Sequence, residues 1–391
     1  MRVVGMMSGT SYDAVDAAAA ELTVEGDALV LRPLGMVSAP YPDPVREALA
    51  AALPPAATTV EAVCRLDTRI GQVFAALAVR ADRELCGGRA GLVTSHGQTV
   101  HHWVAGGRTR GTLQIGSPAW IAEATGCPVV SDLRSRDVAA GGQGAPLVSM
   151  VDVLWLRGRP GVPVALNLGG IANVTVAGAG TRRPVAFDTG PGNALIDAAV
   201  RHVTGGRAAF DEDGALAARG GVDAGLLRRL LDEPYYAAPP PKTTGKELFH
   251  LPHLLGALAG REGIGGPDLV ATVTRLTALT VADAVRSVAG TEVIASGGGT
   301  RNPTLMAMLR GELGGVPLRC SDELGLPSAA KEAYAFAVLG FLTLHGLAGT
   351  VPACTGARHA GVLGSITPGR GPLRLPEPLE RAPVRLRLLP G

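Results

Sequence analysis

The sequence predicts an α/β protein that is built from two similar halves. The main indication is a pair of glycine-bearing turns, GMMSGTSYDAVD at 5–16 and ALNLGGIANVTV at 165–176, each lying between two apolar runs typical of paired strands. The turns are about one domain length apart, and a third glycine cluster, SGGGTRNPT at 296–304, follows another apolar run. With 391 residues, 47% of them hydrophobic, the chain is long enough for two cores.

The first half combines strands with helices. In order, its predicted elements are strands at 2–7, 14–24 and 28–38, helices near 43–53 and 58–85, a strand at 91–95, a strand end at 113–115, a helix at 118–125 and a strand at 128–131. Strands therefore precede helices in this half.

The second half repeats this order. Its predicted elements are strands at 163–168, 171–177 and 184–187, a helix from about Asn193, a helix at 267–289, a strand at 292–295, a helix capped by Asn302, and a helix at 328–344. We place the boundary between 128 and 163 and assign 1–130 to an N-terminal domain, 131–370 to a C-terminal domain and 371–391 to a tail.

Composition excludes several classes of protein. Lys and Arg number 36 against 34 Asp and Glu, a net charge of +2, so no global field favours nucleic acid or an anionic membrane. The five cysteines are odd in number and form no CxxC pair, which is typical of reduced thiols and indicates no zinc site. The sequence shows no apolar leader and no run of about 18 apolar residues. We therefore expect a soluble, cytoplasmic protein that binds any anion locally.

Polar groups in the first turn are candidates for a phosphate site. Gly9, Thr10 and Ser11 offer backbone N–H and hydroxyl donors to phosphate oxygens. Asp13 and Asp16 are carboxylates of the kind that hold Mg²⁺ through water. The alternative is an ordinary hairpin whose aspartates only close the turn. Taken alone, this turn leaves both interpretations open.

A further carboxylate ends the strand at 184–187. Asp188 lies in FDTGPGN at 187–193, where a side chain projects toward the cleft expected between the two halves. A general base that deprotonates water or a hydroxyl would occupy such a place. Alternatively, Asp188 accepts hydrogen bonds from the backbone of Gly190–Gly192.

Three segments offer candidates for substrate binding. In SDLRSRD at 131–137, alternation predicts that Arg134 and Arg136 point to one side, and arginine suits carboxylate recognition. His96, at a strand end, and Glu332, on the last strong helix, are further candidates. The alternatives are a charged surface loop, a structural histidine and a solvated carboxylate.

Common catalytic signatures are missing from the chain. GxxxxGK[ST] is absent, no GxGxxG follows the first strand, and neither GxSxG nor HExxH occurs. The sequence therefore argues against a P-loop protein, a dinucleotide-dependent dehydrogenase, an α/β-hydrolase and a zincin.

Several long motifs resemble one family of kinases. They are MSGTSYDAVD at 7–16, SHGQTVHH at 95–102, LQIGSPAWIAEATGCPVVSDLRSRDVAAGGQGAPLV at 113–148, LNLGGIANVT at 166–175, FDTGPGN at 187–193, PKTTGKELF at 241–249 and SGGGTRNPTLM at 296–306. Together they closely resemble the anhydro-N-acetylmuramic acid kinases, from the first strand to about residue 369.

The resemblance implies a fold and a reaction. The fold is that of actin, Hsp70 and the sugar kinases, two RNase H-like domains around a nucleotide cleft. The reaction is the ATP-dependent conversion of 1,6-anhydro-N-acetylmuramic acid and water into N-acetylmuramic acid 6-phosphate, a step of cell-wall recycling. The implied cofactors are ATP and Mg²⁺, the implied partner is a small sugar, and a homodimer stays open.

The resemblance also implies roles for single residues. Asp188 is the expected general base, which activates the water that opens the anhydro bridge so that O6 accepts the phosphoryl group. His96, Arg136 and Glu332 are expected to bind the sugar. The residues expected to bind ATP are Gly9, Thr10, Ser11, Tyr12, Asp13, Ala14, Val15, Asp16, Asn167, Gly169, Gly170, Gly297, Gly298, Gly299 and Asn302.

Two other functions stay open at this point. One is an ordinary hydroxyl kinase for an unmodified sugar, which the same cleft would serve. The other is a nucleotide-switched binding protein of the actin or Hsp70 kind, although the chain carries no obvious peptide-binding module.

Overall fold

The computed structural model describes residues 1–9, 12–54, 56–181, 183–240, 242–245, 248–261, 263–379 and 381–389. The strands are β1 (Arg2–Ser8), β2 (Ala14–Glu25), β3 (Ala28–Pro40), β4 (Leu92–Ser95), β5 (Gln98–Ala105), β6 (Arg108–Ile115), β7 (Val129–Ser131), β8 (Pro163–Leu168), β9 (Ile171–Val176), β10 (Val185–Pro191), β11 (Glu292–Ser296), β12 (Leu318–Cys320), β13 (Ser365–Thr367) and β14 (Arg385–Leu388).

The α-helices follow in the same chain order. They are α1 (Asp43–Ala52), α2 (Val60–Ala81), α3 (Pro118–Thr125), α4 (Ser135–Ala139), α5 (Ser149–Leu156), α6 (Ala194–Val203), α7 (Ala224–Leu231), α8 (Pro234–Ala237), α9 (Leu251–Leu258), α10 (Gly266–Ser287), α11 (Pro303–Glu312), α12 (Lys331–Leu344) and α13 (Pro352–Thr355). Within the described ranges, no helix is both long and apolar enough to cross a bilayer.

The chain forms two compact units. Unit 1 contains residues 1–158 and 330–391, and unit 2 contains residues 159–329. The crossing at 158/159 lies inside the range 128–163 that the sequence left for the boundary, although the assigned domains were 1–130 and 131–370. The chain returns to unit 1 at residue 330, where α12 lies on β1, and β13 then pairs with β7. The close approach of α12 requires a glycine on β1, since a Cβ at Gly5 would lie 2.0 Å from the carbonyl oxygen of Ala333.

Unit 1 is organised around a sheet of seven strands in the order β13-β7-β4-β1-β2-β3-β14. Strands β1, β4 and β7 are parallel, whereas β2 is antiparallel to both β1 and β3. Its core fills the space between this sheet and α2, with Ile70 and Phe74 fully buried. Strands β5 and β6 form a separate hairpin.

Unit 2 repeats the central part of this arrangement. Its five strands follow the order β10-β9-β8-β11-β12, with β8, β11 and β12 parallel and β9 antiparallel to its two neighbours. The five strands shared by the two sheets are β1, β2, β3, β4 and β7 in unit 1 and β8, β9, β10, β11 and β12 in unit 2. Counted in chain order, both sets lie in the order 3-2-1-4-5, with strand 2 antiparallel to its neighbours. The predicted fold class, α/β with two similarly built RNase H-like domains, is confirmed. Helix α10 supplies much of the apolar core of this unit.

Candidate active site

The turn between β1 and β2 is fixed at both of its ends. The N–H of Tyr12 donates to the carbonyl of Gly9 at 3.2 Å, and Tyr12 has a φ of 45°, in the left-handed region that side chains rarely adopt. Asp13 is exposed and Asp16 half-buried, so both carboxylates are accessible. Thr10 and Ser11 of the predicted phosphate turn lie outside the described residues. Ala14 and Val15 are the first residues of β2.

His96 is buried and uses both ring nitrogens. Arginine only donates, so the 2.8 Å contact between Arg134 Nε and His96 Nε2 places the ring proton on Nδ1, which donates to the carbonyl of Gly97 at 2.9 Å. The ring packs on Phe336, with centroids 4.7 Å apart. Burial and the charge of Arg134 hold the pKa of His96 well below its usual value, so the ring stays neutral. The geometry therefore favours a positioning role for His96.

Arg134 and Arg136 lie in different surroundings. The predicted alternation from 131 to 137 is wrong, because this segment turns into α4 and leaves Arg136 exposed. Arg134 is half-buried, and its Nη1 donates to the carbonyl of Gly144 at 2.5 Å. Behind it, the buried carboxylate of Asp137 accepts from the N–H of Gly144 at 2.8 Å and anchors the same loop.

Glu332, the second residue of α12, lies near both positively and negatively charged side chains. Burial raises the pKa of Glu332, Arg134 and Lys331 oppose that rise, and Asp16 and Asp152 add to it. Glu332 of unit 1 therefore interacts electrostatically with Arg134 and with Asp16, the last residue of the first glycine-bearing motif. The neighbouring Lys331 is engaged elsewhere, because its Nζ lies 2.8 Å from Asp152 Oδ1 in a buried ion pair.

The turn between β8 and β9 in unit 2 is held by backbone groups. The carbonyl of Gly169 accepts from the N–H of Asn193 at 2.8 Å, and that of Gly170 accepts from Gly192 at 2.9 Å and from Ala194 at 3.0 Å. These donors belong to the start of α6, so the glycine turn and the helix N-terminus form one assembly. The N–H groups of 192–194 are used in these bonds, so the start of α6 holds the glycine turn in place and leaves the N–H groups of the turn itself as candidate phosphate donors.

The third glycine cluster packs directly against that assembly. Gly297 has a φ of 87°, and a Cβ there would lie 2.5 Å from Asn167 Oδ1. A Cβ at Gly299 would lie 2.7 Å from Leu168 Cβ, and Gly298 opens the 3₁₀ turn between them. The predicted N-cap is confirmed, since Asn302 Oδ1 accepts from the N–H of Leu305 at 2.9 Å. That oxygen is therefore used in capping α11.

Asp188 lies at an irregularity near the end of β10. The pairing register with β9 shifts between Asp188 and Gly190. The carboxylate of Asp188 accepts, through Oδ2, from the N–H of Thr244 at 2.9 Å. The backbone N–H of Asp188 donates to the carbonyl of Lys242 at 3.0 Å, and the backbone carbonyl of Asp188 accepts from the hydroxyl of Tyr235 at 2.8 Å. The half-buried carboxylate is thus oriented by the 242–245 segment.

The hydrogen bonds of Asp188 test the alternative that its carboxylate accepts from the backbone of Gly190–Gly192. The N–H of Gly192 donates to Gly170, not to the carboxylate, so Asp188 does not close that part of the turn. Sequence reasoning gave no role to Thr244 or Gln98, and of the two arginines that it considered it selected Arg136. The partners of Thr244, Gln98 and Arg134 lie far away along the chain. The motifs PKTTGKELF and SHGQTVHH were the available signals, because they contain Thr244 and Gln98.

Comparison with known proteins identifies the family. The family model described as "Anhydro-N-acetylmuramic acid kinase" matches residues 1–369. Proteins of that name from Streptomyces avermitilis and Streptomyces coelicolor are 71% identical over 99% of this chain and 67% identical over 100% of it, each match covering 100% of the relative. A protein of the same name from Caldanaerobacter subterraneus is 40% identical over 93% of this chain and 96% of its own length. The chain therefore belongs to the anhydro-N-acetylmuramic acid kinase family, and the predicted enzyme class, a kinase, is confirmed.

Proposed function

We propose that this kinase opens 1,6-anhydro-N-acetylmuramic acid with water and transfers the γ-phosphoryl group of ATP to O6, giving N-acetylmuramic acid 6-phosphate. The observation that carries the proposal is the oriented carboxylate of Asp188, whose Oδ2 accepts from the N–H of Thr244 at 2.9 Å. Family membership supplies the substrate class, since the family is named for this sugar.

Asp188 acts as the general base in this proposal. It takes a proton from water, the water oxygen bonds to C1 of the sugar, and the bond between C1 and O6 breaks. The electron pair left on O6 attacks the γ-phosphorus, and ADP leaves with the electrons of the broken P–O bond. A positioned base contributes a rate factor of roughly a hundred to ten thousand. No covalent bond to the enzyme is required.

ATP is assigned to the glycine turns. In unit 2, Gly169 and Gly170 would hold phosphate through backbone N–H groups. In unit 1, the turn that starts at Gly9 is assigned the same kind of contact. The cluster from Gly297 to Gly299, which packs against Asn167 and Leu168 of β8, would border the adenosine. Of the nucleotide residues expected from the sequence, Asn302 is the weakest fit, since its Oδ1 caps α11.

Mg²⁺ is implied by phosphoryl transfer, and the residues present fit it. The described part of the chain contains no group of three or more His, Cys, Asp or Glu able to hold a metal ion. Mg²⁺ needs no such cage, because it keeps several waters and binds through one or two carboxylates plus phosphate oxygens. Asp13, which is exposed, and Asp16, which is half-buried, would hold it through water. When bound, the ion neutralises charge on the phosphates.

The sugar is assigned to Arg134 and Glu332. Arginine recognises carboxylates through a planar fork of N–H donors, so Arg134 suits the lactyl carboxylate, and Glu332 suits a sugar hydroxyl. His96 holds the Nε edge of Arg134 and thereby orients the fork. Arg136, the residue predicted from the sequence, is exposed on α4 and is the less favoured candidate.

The decisive experiment uses Asp188→Asn with isotope-labelled water. The variant should bind ATP and sugar while turnover falls by roughly a hundredfold or more, because an amide cannot accept the proton. In the wild type, label from H₂¹⁸O should enter at C1 and phosphate should appear at O6, as read by mass spectrometry.

The matched control is Asp283→Asn, which makes the same chemical change at an exposed carboxylate of α10. This variant should keep wild-type turnover. Near-normal turnover of Asp188→Asn would remove Asp188 from the role of base. Product without label at C1 would instead indicate an ordinary hydroxyl kinase.

A further inference from the structure

Gln98, the first residue of β5, is fully buried beside the turn that joins β1 to β2. An amide side chain offers two donors and an acceptor oxygen with two lone pairs, and burying such a group is costly unless these are used. Here all four positions are used, by groups from three separate segments of unit 1.

The oxygen of Gln98 accepts two hydrogen bonds. The hydroxyl of Ser8 donates to Oε1 at 2.7 Å, and the hydroxyl of Tyr41 donates to it at 3.2 Å. Ser8 and Tyr41 are themselves 2% and 3% exposed, so water does not compete for these bonds. Burial raises the pKa of Tyr41 to about 12, and its hydroxyl therefore remains a donor across the physiological range.

The nitrogen of Gln98 faces two carbonyl groups. Nε2 donates to the carbonyl of Gly9 at 3.2 Å and to that of Thr99 at 3.2 Å. Carbonyl oxygens only accept, so these two contacts fix which end of the amide is the nitrogen. The amide therefore connects the entry of the turn, at Gly9, to strand β5.

The exit of the turn is tied to the same cluster. The N–H of Tyr41 donates to the carbonyl of Asp13 at 3.2 Å, and the Ser8 hydroxyl lies 3.1 Å from the carbonyl of Ala14. Both ends of segment 9–13 are thus attached to the cluster of Ser8, Tyr41 and Gln98. None of these bonds belongs to the ladder that pairs β1 with β2.

We propose that Gln98 is a positioning residue for nucleotide binding, whose amide fixes the carbonyl of Gly9 at the start of the turn that is assigned to phosphate. The inference rests on the proposed function, which assigns this turn to the phosphates. Because Gln98 acts through the turn, its removal weakens nucleotide binding and leaves sugar binding unchanged. A purely structural residue would lower stability without this selectivity.

The test compares Gln98→Met, Tyr41→Phe and a control in steady-state kinetics. Gln98→Met keeps the approximate volume and removes all four hydrogen bonds, and the KM for ATP should rise about tenfold while the KM for the sugar stays within about twofold. Tyr41→Phe removes one bond to Oε1 and should raise the KM for ATP about threefold. This milder variant decides the question if Gln98→Met does not fold.

The control is Thr343→Val, which removes another buried side-chain hydrogen bond of unit 1, from Thr343 Oγ1 to the carbonyl of Leu363 at 2.8 Å. It should lower the thermal midpoint and leave both KM values unchanged. An unchanged KM for ATP in folded Gln98→Met, or in Tyr41→Phe if Gln98→Met does not fold, overturns the proposal, as does an equal rise in both KM values.

Hydrogen exchange separates this failure from failure of the proposed function. In the wild type, ADP should protect the amides of segment 8–14. If ADP leaves them unprotected, the turn does not hold phosphate, and both the assignment of ATP to this turn and the role of Gln98 are wrong. If ADP protects them but Gln98→Met keeps its KM for ATP, the role of Gln98 alone is wrong.

Discussion

The glycine turns of the two units occupy the same place in the strand order but are supported differently. In unit 1, the turn between β1 and β2 depends partly on a side chain, because Gln98 Nε2 donates to the carbonyl of Gly9 at its start, while the backbone N–H of Tyr41 donates to the carbonyl of Asp13 at its end. In unit 2, the turn between β8 and β9 rests on backbone, because Gly169 and Gly170 accept from the N–H groups of 192–194. The same topological position is therefore stabilised by two kinds of contact.

The difference has a physical consequence. Substitutions can remove the hydrogen bonds of the Gln98 side chain one at a time, so in unit 1 they should have graded effects on nucleotide binding. In the backbone support of unit 2, a Cβ at Gly192 would lie 2.2 Å from the carbonyl oxygen of Gly169, so substitution of Gly192 must displace the chain itself. Since displacements of about 1 Å cost large factors in rate, unit 2 should respond in an all-or-none manner.

The largest effect is expected for Gly192→Ala. Its Cβ would lie 2.2 Å from the carbonyl oxygen of Gly169 and 3.0 Å from the N of Ala172, which forces the turn away from the start of α6. We expect turnover to fall by roughly a hundredfold. Measurement of kcat, with circular dichroism to confirm folding, checks this prediction.

Gly311→Ala provides the matched control. Gly311 is exposed on α11, and among the described residues a Cβ there would meet nothing within 4 Å beyond its own helix. Alanine should therefore leave turnover unchanged and stabilise the protein by roughly 0.5–1 kcal/mol. If Gly192→Ala also kept wild-type turnover, the backbone contact in unit 2 would not be a rigid support.

A smaller, graded effect is expected at the arginines of unit 1. Arg134→Lys loses the Nε donor that meets His96 Nε2 at 2.8 Å and the planar fork with it, so the KM for the sugar should rise about tenfold. Arg136→Lys, at an exposed site on α4, should stay within about twofold. Sugar titrations of both variants at saturating ATP measure the contrast. A larger effect at Arg136 would restore the residue predicted from the sequence.

Arg134 and Arg136 show that a local sequence pattern does not predict contacts between distant segments. Alternation over 131–137 predicted one face for both side chains, but α4 separates them, and what selects Arg134 is a histidine distant along the chain. Gln98 was missed as a support for a similar reason, because its partners come from separate segments. Glycine turns and strand-end carboxylates were found because each is a local pattern.

In the fold as well, elements set by a local sequence pattern were predicted, and those set by contacts between distant segments were not. Strands β1, β2 and β3 were predicted within about two residues, because their apolar runs are continuous. The hairpin of β5 and β6 was mostly missed, since it exposes Trp103 and Val104 and buries no continuous face. The return of the chain to unit 1 at residue 330 was not predicted, because it depends on the packing of α12 on β1 at Gly5, which no local pattern reveals.

The smallest effect is expected from Glu332→Gln, measured as stability against pH. Burial raises the pKa of Glu332 above its ordinary value of 4.5, although Arg134 and Lys331 oppose the rise. The folded protein therefore holds this proton more tightly than the unfolded chain does. Stability is lost as the pH rises from 4.5 through the raised pKa, and glutamine, which has no proton to lose, avoids that loss.

Thermal unfolding of both proteins between about pH 4 and pH 8 tests the sign. The Tm of Glu332→Gln should match the wild type at the acidic end and exceed it by a few degrees near neutrality, while sugar binding weakens. Glu123→Gln, at an exposed glutamate of α3, is the control for the chemical change. A Tm difference that falls with pH would mean that attraction to Arg134 and Lys331 outweighs burial, and the side chains of unit 1 would then stabilise the site they form. If the Tm of Glu332→Gln increasingly exceeds that of the wild type as the pH rises, unit 1 keeps a carboxylate that destabilises the fold where the sugar is proposed to bind. Such a loss of stability is expected of a group that is kept for function.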